Sequence, residues 1–384
     1  MNAIQTISTI LKHDRKINTY KIALIRAIND LALSYPGLNL FKQDIAIPLQ
    51  MIARYWLAYF WPFCDPQSPI LQGQQAILDG RLRNDIAFRD ELTFLREVWG
   101  MQISQVEAPQ DGFFVIDEMH RPRKKSTYSL ELGTAYQQAI QKIIQAIRQP
   151  IQYAGPGEWA VFDKPARYQQ IKDHCIALPE TKASDYCVII DQELWAGFQE
   201  ISLYIEALCI HEWSLFTERK NIDQAYHRGM IYQLLTARPD NRRPLDWERN
   251  LVDILLMETY EFSCPWTGKR IKQGIPYDLD HIIPLAVYPT NEMWNLVPAD
   301  PYFNSHRKRD RLPSSQKLQQ AYPHLVITYQ TYGYHVELSQ ALKEDVRGRF
   351  LNIDTQSTQF PDLVTEAVSN FVEQIGASRN IARF

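Results

Sequence analysis

One stretch of the sequence, residues 264–313, concentrates side chains that hydrolysis of a phosphodiester needs. Asp280 and His281 are adjacent, and Asn295 and Asn304 follow them along the chain. A neutral imidazole accepts a proton from water near pH 7. Carboxylate and amide oxygens are the hard ligands that Mg²⁺ prefers. These residue types are therefore suited to metal-assisted hydrolysis.

A basic cluster follows these polar residues within residues 302–312, where one acidic residue is present. Its members are Arg307, Lys308, Arg309 and Arg311. The whole chain of 384 residues has 41 Lys plus Arg, 44 Asp plus Glu and a formal net charge of −3, which excludes a protein that is basic throughout. Binding to nucleic acid must therefore use a local patch. We expect the cluster to contact phosphates, and a solvated basic face is the alternative.

The same stretch resembles the HNH (ββα-metal) endonuclease family. The matching parts are the Cys-Pro-Trp-Thr-Gly lead-in, the Asp-His-Ile-Ile-Pro strand, the Asn-Leu-Val-Pro turn and a helix with Asn304, a basic tail and a Leu-Pro ending. The spacing is close to that in the nuclease domain of RNA-guided CRISPR effectors, although the rest of the chain does not look like such an effector. The resemblance implies a two-stranded ribbon packed on a helix.

The resemblance also implies a role for each motif residue. His281 is the general base, and Asp280 and Asn304 hold a single Mg²⁺ or Mn²⁺ ion. Asn295 braces the loop that positions His281. Arg307, together with the rest of the basic cluster, contacts phosphates or stabilises the transition state.

The sequence departs from the family pattern at two points. The third motif position is Asn304 rather than His, and His306, two residues on, is a possible alternative ligand. The two side chains lie roughly 200° apart on a helix, so both cannot easily bind one ion. The paired CxxC motifs of zinc-stapled modules are absent and only Cys264 stands at such a place, so we expect no zinc.

The elements that must position these residues are predicted to be mainly α-helical. The predicted domains are a helical recognition or assembly region at 1–250, an HNH module of α+β type at 251–318, and a C-terminal α+β segment at 319–384 that packs on the rest. Within them we predict helices at 20–34, 128–148 (closed by Pro150) and 192–219, a strand at 187–190 and a β-like stretch at 325–338. Asp300 is predicted to cap the helix that carries Asn304, with Pro301 in its first turn.

Composition limits the setting of the protein. The five cysteines are far apart and odd in number, which argues against a disulfide framework and suits a reducing cytosol. The N-terminus does not read as a signal peptide, and no apolar run of about 18 residues predicts a membrane span. We therefore expect a cytoplasmic protein that has no membrane partner.

The sequence thus favours a metal-dependent endonuclease that cuts DNA to leave 5′-phosphate and 3′-hydroxyl ends, in restriction or anti-phage defence. RNA is not excluded as a substrate, and the expected partners are a second copy of the chain or a co-encoded defence protein. The alternative is a non-catalytic nucleic-acid-binding or assembly subunit of a larger defence complex.

Overall fold

The computed structural model describes residues 2–78, 81–103, 107–120, 128–155, 160–222, 226–237 and 244–384. The chain forms two compact units, Met1–Ala237 and Arg238–Phe384. The fold is mainly α with small sheets, as predicted. Among the described residues, no helix is both long and apolar enough to cross a membrane.

Helices dominate the first unit. They are Ala3–Ser8, Tyr20–Ser34, Leu49–Phe60, Arg89–Gln102, Asp111–His120, Leu130–Tyr153, Tyr168–Ile171, Gln192–Glu200, Ser202–Lys220 and Arg228–Thr236, with π-helical Thr9–His13 and 3-10 turns at Pro36–Phe41 and Trp61–Phe63. Tyr20–Ser34 is buried almost all round, with Ile22, Ile25 and Ile28 fully inaccessible. A helix with so wide an apolar surface lies at the centre of a core.

A four-stranded sheet completes the first unit, together with the hairpin strands Ala76–Leu78 and Arg81–Arg83. Its strand order is Ala166–Arg167, Tyr186–Ile190, Asp44–Pro48 and Cys175–Ala177. The first two neighbouring pairs are antiparallel, and Asp44–Pro48 pairs with Cys175–Ala177 in parallel. The strand predicted at 187–190 is thereby confirmed.

A buried ion pair joins Asp85 to Arg89 one helical turn away. Arg89 Nη2 donates to Asp85 Oδ2 at 2.7 Å, and the guanidinium also donates to the carbonyls of Phe63 at 2.9 Å and Ile70 at 3.0 Å. Each guanidinium nitrogen of Arg89 thus donates to a protein atom. This pairing ties the start of a helix to a connecting segment, because a buried charge must be matched by partners.

The second unit has four longer helices among its described residues, Asp246–Met257, Ser315–Tyr332, Val336–Arg349 and Phe360–Arg379. Short strands at Phe262–Ser263 and Arg270–Ile271 form a hairpin, and Asp278–His281 pairs antiparallel with Leu296–Ala299. We call this second pair the ribbon. Met293–Asn295 is a 3-10 turn before the ribbon's second strand, and helix Pro301–Phe303 continues as a π-helix, Asn304–Lys308.

Two predictions about helix limits are wrong. The helix predicted to close before Pro150 extends from Leu130 to Tyr153 with Pro150 inside it. Ile147 and Ile151, one turn apart, are fully buried, and their burial holds the last turn despite the hydrogen bond that a proline removes. The helix predicted at 192–219 is two helices, because Ile201 leaves the helical region with φ −114° and ψ 26°.

The β-like stretch predicted at 325–338 is also wrong, because residues 325–332 and 336–338 belong to the helices Ser315–Tyr332 and Val336–Arg349, with a turn between them. Leu325, Tyr329 and Tyr332 are buried at spacings of four and three, which is a helical period. Thr328 and Thr331 donate their hydroxyls to the carbonyls four residues back. Tertiary burial has overridden the β propensity of these threonines and aromatic residues.

Candidate active site

The ribbon and the helix after it form a ββα arrangement in the second unit. His281 is paired in register with Leu296, and Asp280 with Val297. Asp300 ends the ribbon and accepts a hydrogen bond from the Tyr302 N–H at 3.0 Å, with Pro301 in the first turn. The predicted cap of this helix is therefore confirmed, and it fixes how the chain turns from the second strand into the helix.

Asn295 closes the loop between the two strands of the ribbon. Its Oδ1 accepts from the Ile283 N–H at 2.8 Å, and its Nδ2 donates to the carbonyls of Ile283 at 3.0 Å and Thr290 at 3.3 Å. The side chain is fully buried. These hydrogen bonds satisfy backbone groups just after His281 that are remote from water, so the loop is held in one conformation.

His281 stands at the end of the first strand and is 9% exposed. Its Nε2 lies 2.7 Å from Oδ1 of Asn291. An amide oxygen accepts hydrogen bonds, so this contact places the proton of a neutral imidazole on Nε2. Asn291 was missed at the level of sequence, where it reads only as a turn residue.

Two side-chain pairs join the first strand of the ribbon to the helix. Asn304 Nδ2 donates to Asp278 Oδ2 at 3.0 Å, and Lys308 Nζ donates to Asp280 Oδ1 at 2.9 Å. Residues two apart on a strand share a face, and residues four apart on a helix do so too. Asp278 was missed as a site residue, although its spacing from Asp280 places both carboxylates on one face.

The carboxylate of Asp280 is engaged at both oxygens. Oδ2 accepts from the Trp266 indole N–H at 2.9 Å, and Oδ1 accepts from Lys308, which also donates to the carbonyl of His281 at 2.6 Å. Asp280 is 5% exposed and Lys308 is 1% exposed. The structure thus places Lys308 inside the module as a partner of Asp280.

Two family models match separate parts of the chain. A family model described as a domain of unknown function (DUF8808) matches residues 1–235, which is more than half of the chain. The chain belongs to this family. A second model, described as HNH endonuclease, matches residues 264–314, so the resemblance of that stretch is confirmed. No match was found among curated proteins or among solved structures. The HNH module is thus the part of this DUF8808 protein with a recognised chemistry.

A pocket of about 350 Å³ opens beside the HNH motif residues. Besides His281, its lining includes Asp246 and Arg249 from the helix Asp246–Met257, and Arg309 from the basic cluster. Arg249 lies 5.3 Å from the ring centre of Tyr277 and donates to the Tyr277 carbonyl at 3.3 Å. Arg249 precedes residues 264–313, so the motif gave no signal for it.

The basic cluster is split between buried and exposed positions. Arg307 and Arg309 are exposed, and Lys308 is buried with Asp280. Arg311 is half-buried and its guanidinium donates to the carbonyls of Arg307 and Lys308, at 3.4 Å for Lys308. Lys308 is thus engaged inside the module and Arg311 with the end of the π-helix, so phosphate contacts are best sought at Arg307 and Arg309.

The π-helix accounts for the unusual backbone at this point. The Arg309 N–H donates to the Asn304 carbonyl five residues back at 2.9 Å, and Arg309 then has a φ of 54°. A positive φ is uncommon for residues other than glycine, and π-helical turns are frequent at functional sites. His306 projects from the same turn, where its ring stacks on exposed Tyr302 at 4.5 Å.

HNH domains are generally metal-dependent, and the donor chemistry of this module fits a divalent ion. Asp278, Asp280 and Asn304 present hard oxygen atoms from one strand face and the adjoining helix. No group of three or more His, Cys, Asp or Glu that would hold an ion occurs among the described residues. An ion at Asp280 would have the Lys308 ammonium group, which lies against Oδ1, as a close neighbour.

Proposed function

We propose that the HNH module hydrolyses DNA phosphodiester bonds with His281 as the general base. The observation that carries this proposal is the position of His281 at the end of the ribbon, held by Asn291 and followed directly by the loop that Asn295 closes. A fixed imidazole beside a pocket is suited to take a proton from an attacking water. Attack at phosphorus with departure of the 3′ oxygen gives a 5′-phosphate and a 3′-hydroxyl.

The chain's own residues supply the rest of the chemistry. Asp280 and Asn304, with Asp278 beside them, would hold Mg²⁺ or Mn²⁺, which stabilises the negative charge on the phosphate and on the leaving oxygen when bound. Arg309 at the pocket and exposed Arg307 carry the positive charge that attracts the nucleic-acid backbone. Arg249 adds a third guanidinium from outside the motif.

The experiment is cleavage of supercoiled plasmid by the full chain with Mg²⁺ or Mn²⁺ and with chelator. We expect nicking that chelator abolishes and that His281→Ala lowers by about 10²–10⁴-fold. His335→Ala, at the start of the helix Val336–Arg349 in the same unit, is the matched control and should cleave normally. Equal nicking by wild type and His281→Ala would refute the proposal, and single-stranded RNA in a parallel reaction tests the other substrate.

A non-catalytic role is the second candidate, because Lys308 already neutralises Asp280. In that case the module binds nucleic acid through Arg307 and Arg309 and cleaves nothing in any metal. Binding that weakens steeply with salt, without cleavage, would support this alternative.

We assign the biological setting to restriction or anti-phage defence in the cytoplasm, with a second copy of the chain or a co-encoded protein as partner. The support is the combination of a separate N-terminal family domain with a nuclease module in one chain. Cells that express the wild-type protein should plate phage less efficiently than cells that express His281→Ala. Equal plating with both would contradict the assignment.

A further inference from the structure

Lys308 lies against Asp280, one of the residues that we propose would hold the metal ion. Its ammonium group lies 2.9 Å from Oδ1 of Asp280 and 2.6 Å from the carbonyl of His281, and it is 1% exposed. We propose that Lys308 is the resident cation of the site and competes with the divalent ion for Asp280. This inference rests on the proposed function, because it concerns the ion that the nuclease uses.

Two cations held on this carboxylate would repel each other. A Mg²⁺ ion sits at about 2.0–2.1 Å from a ligating oxygen, and Oδ1 already has the Lys308 ammonium at 2.9 Å. The other oxygen accepts the indole N–H of Trp266, so moving the ion to Oδ2 would cost that hydrogen bond. Repulsion between neighbouring positive charges is strong where solvent is excluded. Ion binding at Asp280 therefore favours withdrawal of Lys308.

The Lys308 ammonium group has an adjoining pocket into which it can move. Lys308, Asp280 and His281 all line the same pocket. The lysine side chain is a flexible four-carbon chain with a compact charge, so its ammonium can move without its backbone. Once withdrawn, the ammonium faces the space that an incoming phosphate enters. The ion would therefore convert a neutral Asp280–Lys308 pair into a site with excess positive charge.

Withdrawal would also change the surroundings of the base. Lys308 donates to the backbone carbonyl of His281, so its departure frees that carbonyl as the ion arrives. Occupation by the ion and the final position of His281 are therefore linked through one lysine. Without the ion, Lys308 keeps the buried carboxylate paired and the module intact.

The first test is binding of Mn²⁺ to the full chain, measured by the loss of the free-ion signal in electron paramagnetic resonance. Lys308→Met should bind Mn²⁺ about tenfold more tightly than wild type or better, because it removes the competitor. Lys308→Arg keeps the charge and should bind no more tightly than wild type. Lys269→Met is the matched control, since exposed Lys269 pairs with Asp300 and not with Asp280. A folded Lys308→Met protein with unchanged or weaker Mn²⁺ affinity overturns the proposal.

The second test uses the wild-type chain and does not depend on the folding of a variant. Lys308 should react slowly with an amine-acylating reagent in chelator and about tenfold faster with saturating Mn²⁺, as counted by peptide mass spectrometry. Exposed Lys269 serves as the internal reference and should not change. Mn²⁺ that leaves Lys308 labelling unchanged or slows it overturns the inference. The proposed function fails separately, if wild type shows no metal-dependent nicking.

Discussion

Two buried ion pairs, one in each compact unit, differ in what surrounds them. Asp85–Arg89 in the first unit is enclosed by protein donors and acceptors. Arg89 donates to Asp85 through Nε and Nη2, and to the carbonyls of Phe63 and Ile70 through Nη1 and Nη2. Asp280–Lys308 in the second unit is equally buried but lines a pocket of about 350 Å³. Both pairs follow the rule that a buried charge needs a partner, but their surroundings differ.

The contrast comes from the chemistry of the two cations. A planar guanidinium with several fixed donors makes a pair that no small cation replaces, whereas a lysine is a single mobile charge. We therefore expect Arg89 to stay bound to Asp85, and a divalent ion to displace Lys308 from Asp280. Four substitutions test this difference between the two pairs.

Arg89→Met should have the largest effect on stability. It leaves the buried carboxylate of Asp85 without its cation, and breaking such a pair costs about 3–5 kcal/mol. Cys64 lies beside Arg89, and burial raises the pKa of its thiol to about 11, so at pH 8 it reacts only when the structure opens. Thiol labelling of Cys64 in increasing urea measures the loss, and Mn²⁺ should not restore it. Wild-type labelling rates for the variant would contradict the enclosed role of this pair.

Lys308→Met should destabilise the second unit by about 3 kcal/mol in chelator, the lower end of the range for breaking a buried pair. Unlike Arg89→Met, this loss should shrink when Mn²⁺ is added, because the ion replaces the missing positive charge on Asp280. Urea unfolding with and without Mn²⁺ checks the contrast. If metal stabilises the two variants equally, the pairs do not differ as argued.

Asn295→Ala extends the comparison to a buried group without charge. It removes hydrogen bonds to the N–H and C=O of Ile283, and unsatisfied buried groups cost about 1–3 kcal/mol each. We expect a loss of stability and of nicking together, since the loop after His281 loosens. Faster hydrogen exchange at the Ile283 amide is the direct measurement, and unchanged protection would show that Asn295 is not the brace.

Lys269→Met should have the smallest effect. Its partner Asp300 is 3.2 Å away, and the lysine side chain is 55% exposed. Surface pairs of this kind contribute about 0–1 kcal/mol. A urea midpoint that drops as far as that of Lys308→Met would show that burial does not decide how much these pairs contribute to stability.

Much of the fold could be predicted from apolar spacing. Ile22, Ile25 and Ile28 mark the central helix correctly, because a three-residue spacing leaves few alternatives. Helix ends were less predictable, since the break at Ile201 interrupts an apolar pattern that itself continues. The second half of the helix Ser315–Tyr332 was predicted as β-like because its threonines and tyrosines favour strands, and burial by neighbouring helices decides the outcome.

The candidate site was predictable in its residue types but not in its pairings. The motif identifies Asp280, His281 and Asn304 by spacing. It cannot show that Lys308 turns inward to Asp280 while neighbouring Arg307 stays exposed, because that depends on the π-helical turn Asn304–Lys308. Arg249 and Asn291 join the pocket through tertiary folding from outside the motif positions.

Chemical rescue tests whether His281 is the general base of a nuclease. His281→Gly leaves a space beside the pocket, and its plasmid nicking should fall by about 10²–10⁴-fold. Imidazole added to the reaction should restore nicking, whereas pyrrole, which has no basic nitrogen, should not. Nicking by His281→Gly at the wild-type rate without imidazole would show that His281 is not the base.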